Sequence, residues 1–237
     1  MAFKGWQKTS LIEYPGRVSS VLFTGGCNFR CPFCYNRRLV LEPDSIPDLD
    51  PGAVFEYLAA NRRLYGAVVL TGGEPTLQQG LEEFCRRAKA LDLLVGLETN
   101  GSRPETLRPL LEGGFVDYVG MDLKAPLEWQ AYSRAAGLRN SQRGLLNRIG
   151  ESLRLLLASG ADCELRCTAV PGLHSEQDLV SVAELARGVR RFALQAFVAR
   201  ETLDPAFCAL KAYPAATLEA VAARVRGWFE RFELRLG

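Results

Sequence analysis

The chain predicts an α/β protein, a partial (β/α)6 barrel with a parallel sheet inside and helices outside. Three observations carry that expectation. Short β-branched apolar runs alternate about six times with longer stretches of helical periodicity. No linker or low-complexity break interrupts the alternation, and right-handed crossovers then lay the strands parallel. Six repeats are also too few to close an eight-stranded barrel, so the sheet should stay open.

In order, residues 1–17 read as a short strand or arm leading into a buried strand at 18–23. Gly25 and Gly26 open a loop, and a Pro-rich turn at 43–51 precedes a helix at 53–64. A strand at 67–71 ends in a Gly-Gly-Glu-Pro turn. Residues 77–91 carry Leu81, Phe84, Ala88 and Leu91 on one helical side, and 93–98 form the next strand. A helix at 104–111 is stopped by Gly113-Gly114, and a strand at 116–121 runs into Asp122-Leu123-Lys124. The helix at 145–157 ends at Gly160, and 163–170 form a strand. Ser175 with Asp178 makes a capping box for the following helix, and 192–197 form the sixth strand. A closing amphipathic helix spans 214–229, and 232–236 add a last edge strand. One domain over 1–237 is expected, with an arm at 1–17, the barrel at 18–213, and the closing elements at 214–237.

Composition bounds the function. Apolar residues make up 48% and charged residues 24%, as in a soluble globular protein with an ample core. A net charge of +2 without a dense basic cluster predicts neither nucleic-acid nor membrane binding. No apolar leader and no run near the ~20 apolar residues of a membrane span are present, so a cytoplasmic protein is expected. Seven cysteines, an odd number, point to metal or reduced thiols rather than a disulfide framework.

Three of those thiols fall within Cys27-Asn28-Phe29-Arg30-Cys31-Pro32-Phe33-Cys34. Spacings of four and three converge only from a tight loop, and thiolates are soft ligands for iron–sulfur clusters, zinc or Cu(I). A structural zinc site wants four closed ligands, and an ordinary [4Fe–4S] cluster wants four cysteines. Here Cys85, Cys163, Cys167 and Cys208 are scattered elsewhere. Three thiolates on a cubane would leave one iron free; a zinc site with a borrowed ligand is the alternative.

Cys-x3-Cys-x2-Cys with Phe33 before the last cysteine resembles the radical S-adenosylmethionine (SAM) superfamily. The apolar run at 18–24, Gly25-Gly26, and Thr71-Gly72-Gly73-Glu74-Pro75 extend that resemblance. With the opening stretch from Gly5-Trp6-Gln7 to Tyr14-Pro15-Gly16, the chain is most similar to the activating proteins of anaerobic ribonucleoside-triphosphate reductases, a group of glycyl-radical-enzyme activases. The resemblance implies a partial TIM-like barrel of the radical SAM type. It also implies a [4Fe–4S] cluster on Cys27, Cys31 and Cys34, whose fourth iron holds the amino and carboxylate groups of SAM.

Further roles follow from the resemblance. Gly72 and Gly73 would let the backbone approach the methionyl part of SAM, and Glu74 would accept from its ammonium group. Phe33 would shield the cluster, while the backbone at Tyr35 and Asn36 would meet adenine. Glu98-Thr99-Asn100-Gly101 and Asp122-Leu123-Lys124 match segments that line the SAM pocket in related activases. Asp122 and Glu98 would then hold a monovalent cation, although Glu98 stands where those relatives carry Asp, and Lys124 would approach the SAM carboxylate. Arg166 needs an anion, either that carboxylate or Glu164 two residues away on the same strand face. Cys167 reads as a small buried hydrophobe. His174, in a loop, reads as solvated.

Only 36 residues separate Cys34 from Thr71, leaving no room for a ferredoxin-like insert, and no lid for a small substrate is evident. An open barrel side could admit a protein loop. That favours a macromolecular substrate, and the resemblance implies a glycyl radical enzyme as the partner, foremost an anaerobic (class III) ribonucleotide reductase, with a pyruvate formate-lyase-type enzyme as the alternative and a flavodoxin or ferredoxin-type electron donor. A radical SAM enzyme acting on a small molecule or nucleotide, and a non-catalytic cysteine–metal scaffold, are the alternatives.

Overall fold

In the computed structural model, which describes residues 1–236, eight strands form one sheet in the order of the chain. β1 (Phe3–Ser10) runs antiparallel to β2 (Ser19–Thr24). Then β3 (Ala67–Gly72), β4 (Leu94–Thr99), β5 (Tyr118–Asp122), β6 (Asp162–Ala169), β7 (Arg191–Ala196) and β8 (Arg231–Arg235) follow, each parallel to its predecessor. Among the described residues β1 and β8 do not pair, so the barrel is open. The parallel strands β2–β7 are the six expected repeats, with β1 and β8 as edges.

Strand alternation sorts the apolar side chains into two layers. Leu22, Leu70, Leu97, Met121, Leu165 and Leu194 point outward and pack under the helices in the main core. Burying each such side chain is worth about 2 kcal/mol, so this outer layer supplies most of the driving force. Tyr14, Val21, Ala67, Val69 and Tyr118 point inward and plug the lower end of the barrel. Above the plug the inward positions turn polar, and the strand C-termini open into a cavity.

The helices are α1 (Arg37–Leu41), α2 (Pro51–Ala60), α3 (Leu81–Lys89), α4 (Pro104–Glu112), α5 (Trp129–Ala136), α6 (Leu145–Ser159), α7 (Glu176–Leu185) and α8 (Ala215–Val225). Asp50 starts α2 earlier than expected: its carboxylate accepts from the Gly52 and Ala53 amides, and Pro51 fills the first turn. α3 starts later than its apolar periodicity suggests, because Gly80 sits at φ +78° directly before it. The capping box of Ser175 and Asp178 is present in α7. α8 is shorter than expected and passes through a 3-10 turn into β8. α1 and α5 are additions to the sequence reading; α5 ends on Gly137 at φ +61°. Gly137 also allows close packing, since a Cβ there would collide with the Arg30 carbonyl. The last residue of the expected domain, Gly237, lies outside the described residues.

Candidate active site

A cavity of about 860 Å³ opens at the C-terminal ends of the strands, within the range of small-molecule sites. The fifteen residues that the sequence assigned to a cluster, SAM or a cation all line it. They arrive from five places: the loop after β2, the turn after β3, and the ends of β4, β5 and β6.

The loop after β2 brings Cys27, Cys31 and Cys34 to one wall, as free thiols. Cys27 Sγ accepts from the Phe29 amide at 3.4 Å and from Asn100 Nδ2 at 3.7 Å. Burial pushes the Cys27 thiol up to about 11, with Glu74 adding to the effect, and pushes Cys31 up to about 12. Cys34 is raised for the same reason. Protonated thiols in such surroundings become thiolates when a cationic centre displaces the protons. Among the described residues, no three Cys, His, Asp or Glu side chains close on one point as a single-ion site would. Three soft donors around a space, one of them accepting N–H bonds, fit an iron–sulfur cluster.

The turn after β3 is locked against that loop. The Gly73 amide donates to the Thr24 carbonyl at 2.9 Å, and the Glu74 amide donates to the Gly26 carbonyl at 2.8 Å. A Cβ on Gly73 would run into the Gly26 carbonyl oxygen, and Gly72 holds φ +112° against Thr24. These glycines are thus required by loop-to-loop packing, a reason beyond the approach of a ligand. Asn36 Nδ2 adds a bond to the Gly72 carbonyl at 3.1 Å.

Glu74 is almost fully buried and differs from its expected role. Its Oε1 accepts from the Thr76 hydroxyl at 2.6 Å, the Thr76 amide at 3.1 Å and the Thr99 hydroxyl at 2.7 Å. Its Oε2 accepts from the Asn100 amide at 2.7 Å. Four protein donors match the acceptor capacity of a carboxylate, so Glu74 is a strut between the turns after β3 and β4. Asn100 continues the strut: Nδ2 donates to Asn28 Oδ1 at 3.0 Å, and Asn28 Nδ2 donates to the Ser102 hydroxyl at 2.8 Å. Sequence reasoning missed Asn28 and Ser102; their only signal was proximity to the motifs.

The charged floor also departs from expectation. Arg166 Nη1 lies 2.6 Å from Glu98 Oε1, and its Nε lies 2.9 Å from Asp122 Oδ1. Asp122 Oδ2 pairs with Lys124 Nζ at 2.9 Å, and Glu98 Oε2 accepts from the Thr71 hydroxyl at 2.9 Å. A guanidinium therefore stands between the two carboxylates assigned to a monovalent cation. Gly120, lacking a side chain, leaves room for it. Glu164, the other candidate partner of Arg166, instead accepts from Arg235 on β8 at 2.9 and 3.0 Å. Burial alone would raise the Asp122 carboxyl, but Lys124 and Arg166 hold it down at about 2. Burial would likewise lower Lys124, yet Asp122 and then Cys31 carry it well above its ordinary value. Lys124 keeps two N–H groups for a ligand and sits 5.9 Å over the Phe33 ring.

His174 is buried, contrary to the sequence expectation. Its Nδ1 accepts from the Val170 amide at 3.0 Å, and its Nε2 donates to the Lys124 carbonyl at 2.7 Å, which fixes the neutral tautomer. Its own carbonyl accepts from the Tyr213 hydroxyl. The ring ties the end of β6 to the end of β5. Cys167 is buried in the outer core, as expected.

Comparison with known proteins bears on this site. The sequence pattern described as the Radical SAM superfamily matches residues 21–186. A Methanocaldococcus jannaschii protein named as a glycyl-radical enzyme activating enzyme is 31% identical over 206 residues, 84% of this chain and 80% of that protein. A Thermococcus kodakarensis protein named as a GTP 3′,8-cyclase is 28% identical over 204 residues, 84% of this chain and 63% of that protein. The crystal structure of Streptococcus suis SuiB bound to S-adenosylmethionine shares the fold at a TM-score of 0.68 and 15% identity, covering 92% of this chain and 52% of SuiB. The chain thus spans about half the length of that solved structure. No helix of the described residues is long and apolar enough to cross a membrane.

Proposed function

This chain belongs to the radical SAM superfamily, whose cofactors are a [4Fe–4S] cluster and SAM, and from that premise we propose that it is a glycyl-radical-enzyme activase. In this reading Cys27, Cys31 and Cys34 hold the cluster. When bound, the cluster supplies the electron that splits the SAM sulfonium and yields a 5′-deoxyadenosyl radical. Lys124 offers its free N–H groups to the SAM carboxylate, and the loop at Gly72 and Gly73 forms the wall beside the methionyl group. Asn100 and the Phe29 amide hold the Cys27 sulfur in place. With cluster and SAM bound, the site would serve to remove an α-hydrogen from a glycine of the partner, foremost an anaerobic ribonucleotide reductase.

The observation that carries the choice of a protein substrate is the rim. Among the described residues eight large apolar side chains are exposed, and four of them, Leu11, Ile12, Tyr35 and Val198, line this cavity. Ile12 is 84% exposed and Leu11 73%, on the loop between β1 and β2. Exposed apolar residues gathered at one mouth mark a protein contact. The cavity's charged lining is balanced, with six acidic and six basic residues, most of them paired with one another. A nucleoside triphosphate would ask for surplus positive charge. A nucleotide substrate remains the second reading, favoured by the similarity to the cyclase-named protein.

The test is electron paramagnetic resonance on the anaerobically reconstituted, reduced protein with SAM and a candidate glycyl radical enzyme. A doublet from an α-hydrogen-coupled glycyl radical, lost when the target glycine is replaced, is the expected result. Deoxyadenosine formed without a protein radical, and stimulated by a nucleotide, would favour the second reading.

A further inference from the structure

The net charge of +2 conceals a division of the surface beside the cysteine loop. Residues 24–41 contain Arg30, Arg37 and Arg38 and no Asp or Glu; residues 129–150 contain Arg134, Arg139, Arg143 and Arg148 and no Asp or Glu. The two segments pack together. The Arg30 amide donates to the Ala136 carbonyl at 2.9 Å, and Gln142 Nε2 donates to the Asn28 carbonyl at 3.3 Å. The second segment, α5 and the connection into α6, is therefore a pad laid against the backbone between Cys27 and Cys31.

Arg30, Arg134, Arg139 and Arg143 are exposed, and none has a carboxylate within ion-pair distance among the described residues. Of the other twenty arginines, eleven are in ion pairs among the described residues. Arg30 and Arg134 donate to the carbonyls of Phe29 and Gly172, and Arg143 lies over the Trp129 ring at 5.9 Å. Two arginines of these segments are neutralised from outside them, Arg148 by Glu105 at 3.2 Å and Arg37 by Glu42 at 3.4 Å, while Glu128 stands at the start of α5 and Asp178 is held by Ser175. None of the four arginines lines the cavity.

We propose that this arginine pad is the docking surface for an acidic one-electron carrier protein, separate from the cavity mouth where the substrate enters. This inference rests on the radical SAM reading, because the cluster needs an electron. In the step considered, the carrier's flavin or iron–sulfur centre loses one electron, the cluster gains it, and no bond forms or breaks. Two features select the occupant. Unpaired guanidinium groups attract a negative surface and speed encounter. Arg30 also lies between two of the cysteines, so a carrier seated there comes close to the cluster. A nucleic acid could use the charge but would gain nothing from that position. Separate surfaces let carrier and substrate protein bind together.

The experiment compares the reconstituted wild-type protein with the double variant Arg139→Glu/Arg143→Glu. A control, Arg62→Glu/Arg63→Glu, places the same charge change on exposed arginines after α2. Binding of an oxidised flavodoxin and an oxidised plant-type ferredoxin is measured by titration calorimetry at low and moderate salt, without turnover. SAM cleavage is then driven either by the reduced carrier or by dithionite. The expected result is binding weakened at least ~10-fold in the double variant, with a flatter salt dependence. Carrier-driven cleavage should fall in parallel, dithionite-driven cleavage should stay within about twofold, and the control should match wild type. The proposal is overturned if neither carrier binds the wild type, if the double variant binds equally well, or if the control loses as much. It is overturned too if a 20-nucleotide RNA binds the pad and excludes the carrier. Absence of dithionite-driven cleavage in the wild type would instead refute the radical SAM reading, while the binding arm would still report on the pad.

Discussion

Arg166 and Glu98 form an ion pair 2.6 Å long inside the barrel, and the same guanidinium reaches Asp122 at 2.9 Å. Both acidic groups are thereby neutralised by the protein itself, with Lys124 completing the set. SAM cleavage is therefore expected to proceed at the same rate when sodium and potassium are replaced by tetramethylammonium. Removing the guanidinium in Arg166→Met leaves Glu98 without a cation inside the barrel, while Asp122 keeps Lys124, and should cost about 3 kcal/mol, read from the urea midpoint. A strong monovalent-cation requirement in the wild type would contradict this arrangement.

The three clustered thiols are expected to act as a set. Replacing any one of Cys27, Cys31 or Cys34 by Ala should abolish SAM cleavage and reduce bound iron and sulfide. Cys208→Ala removes an exposed thiol and Cys85→Ala a buried one on α3, and both should leave cleavage nearly intact. Cleavage surviving in Cys31→Ala would overturn the ligand assignment.

The cysteine loop and the Gly-Gly-Glu-Pro turn could be read from sequence because each is local: spacing fixes which residues meet. The ion pairs could not. Arg166, Glu98 and Asp122 lie on β6, β4 and β5, and only strand register brings them together, Asp122 opposite Arg166 and Glu98 one inward position below, opposite Gly120. Parity correctly put Glu164 on the face of Arg166, yet Glu164 turns to Arg235 on β8, about seventy residues away in the chain. His174 misled for a related reason. A polar residue after Pro171-Gly172 reads as loop surface until Lys124 and Tyr213, from distant elements, close over it. α5 escaped notice because eight residues are too few for a clear period.

Glu74 carries four hydrogen bonds with almost no solvent exposure. Glu74→Gln keeps the shape but turns one oxygen into a donor, which faces either the Asn100 amide or the Thr76 and Thr99 hydroxyls. Replacing an acceptor of charged-group bonds in this way should cost about 2 kcal/mol. Because Asn100 also donates to Cys27, the variant should hold its cluster less firmly, measured as faster iron loss to a chelator. A variant with wild-type stability and iron retention would mean that the strut is dispensable.

Gly73→Ala tests the packing of the two loops. The added methyl meets the Gly26 carbonyl, which is backbone and has little freedom to retreat. A loss of about 3 kcal/mol is expected, with impaired cluster incorporation. Gly144→Ala places a methyl where nothing lies within 4 Å and should be neutral in both measurements.

His174 gives the protein an acid-sensitive joint. Burial lowers its pKa from the ordinary 6.5, outweighing its bond to the Lys124 carbonyl, so the folded state favours the neutral ring. Protonation would also convert Nδ1 from the acceptor of the Val170 amide into a donor facing it. The unfolded chain therefore takes up the proton first as pH falls, and the stability this residue contributes is complete above the unfolded pKa. It declines as pH drops from 6.5 toward the depressed folded value. The urea midpoint of the wild type should fall across that window. In His174→Gln the side chain does not titrate, so the starting midpoint should be lower and its slope with pH shallower. An identical slope in the two proteins would assign the acid sensitivity to other groups.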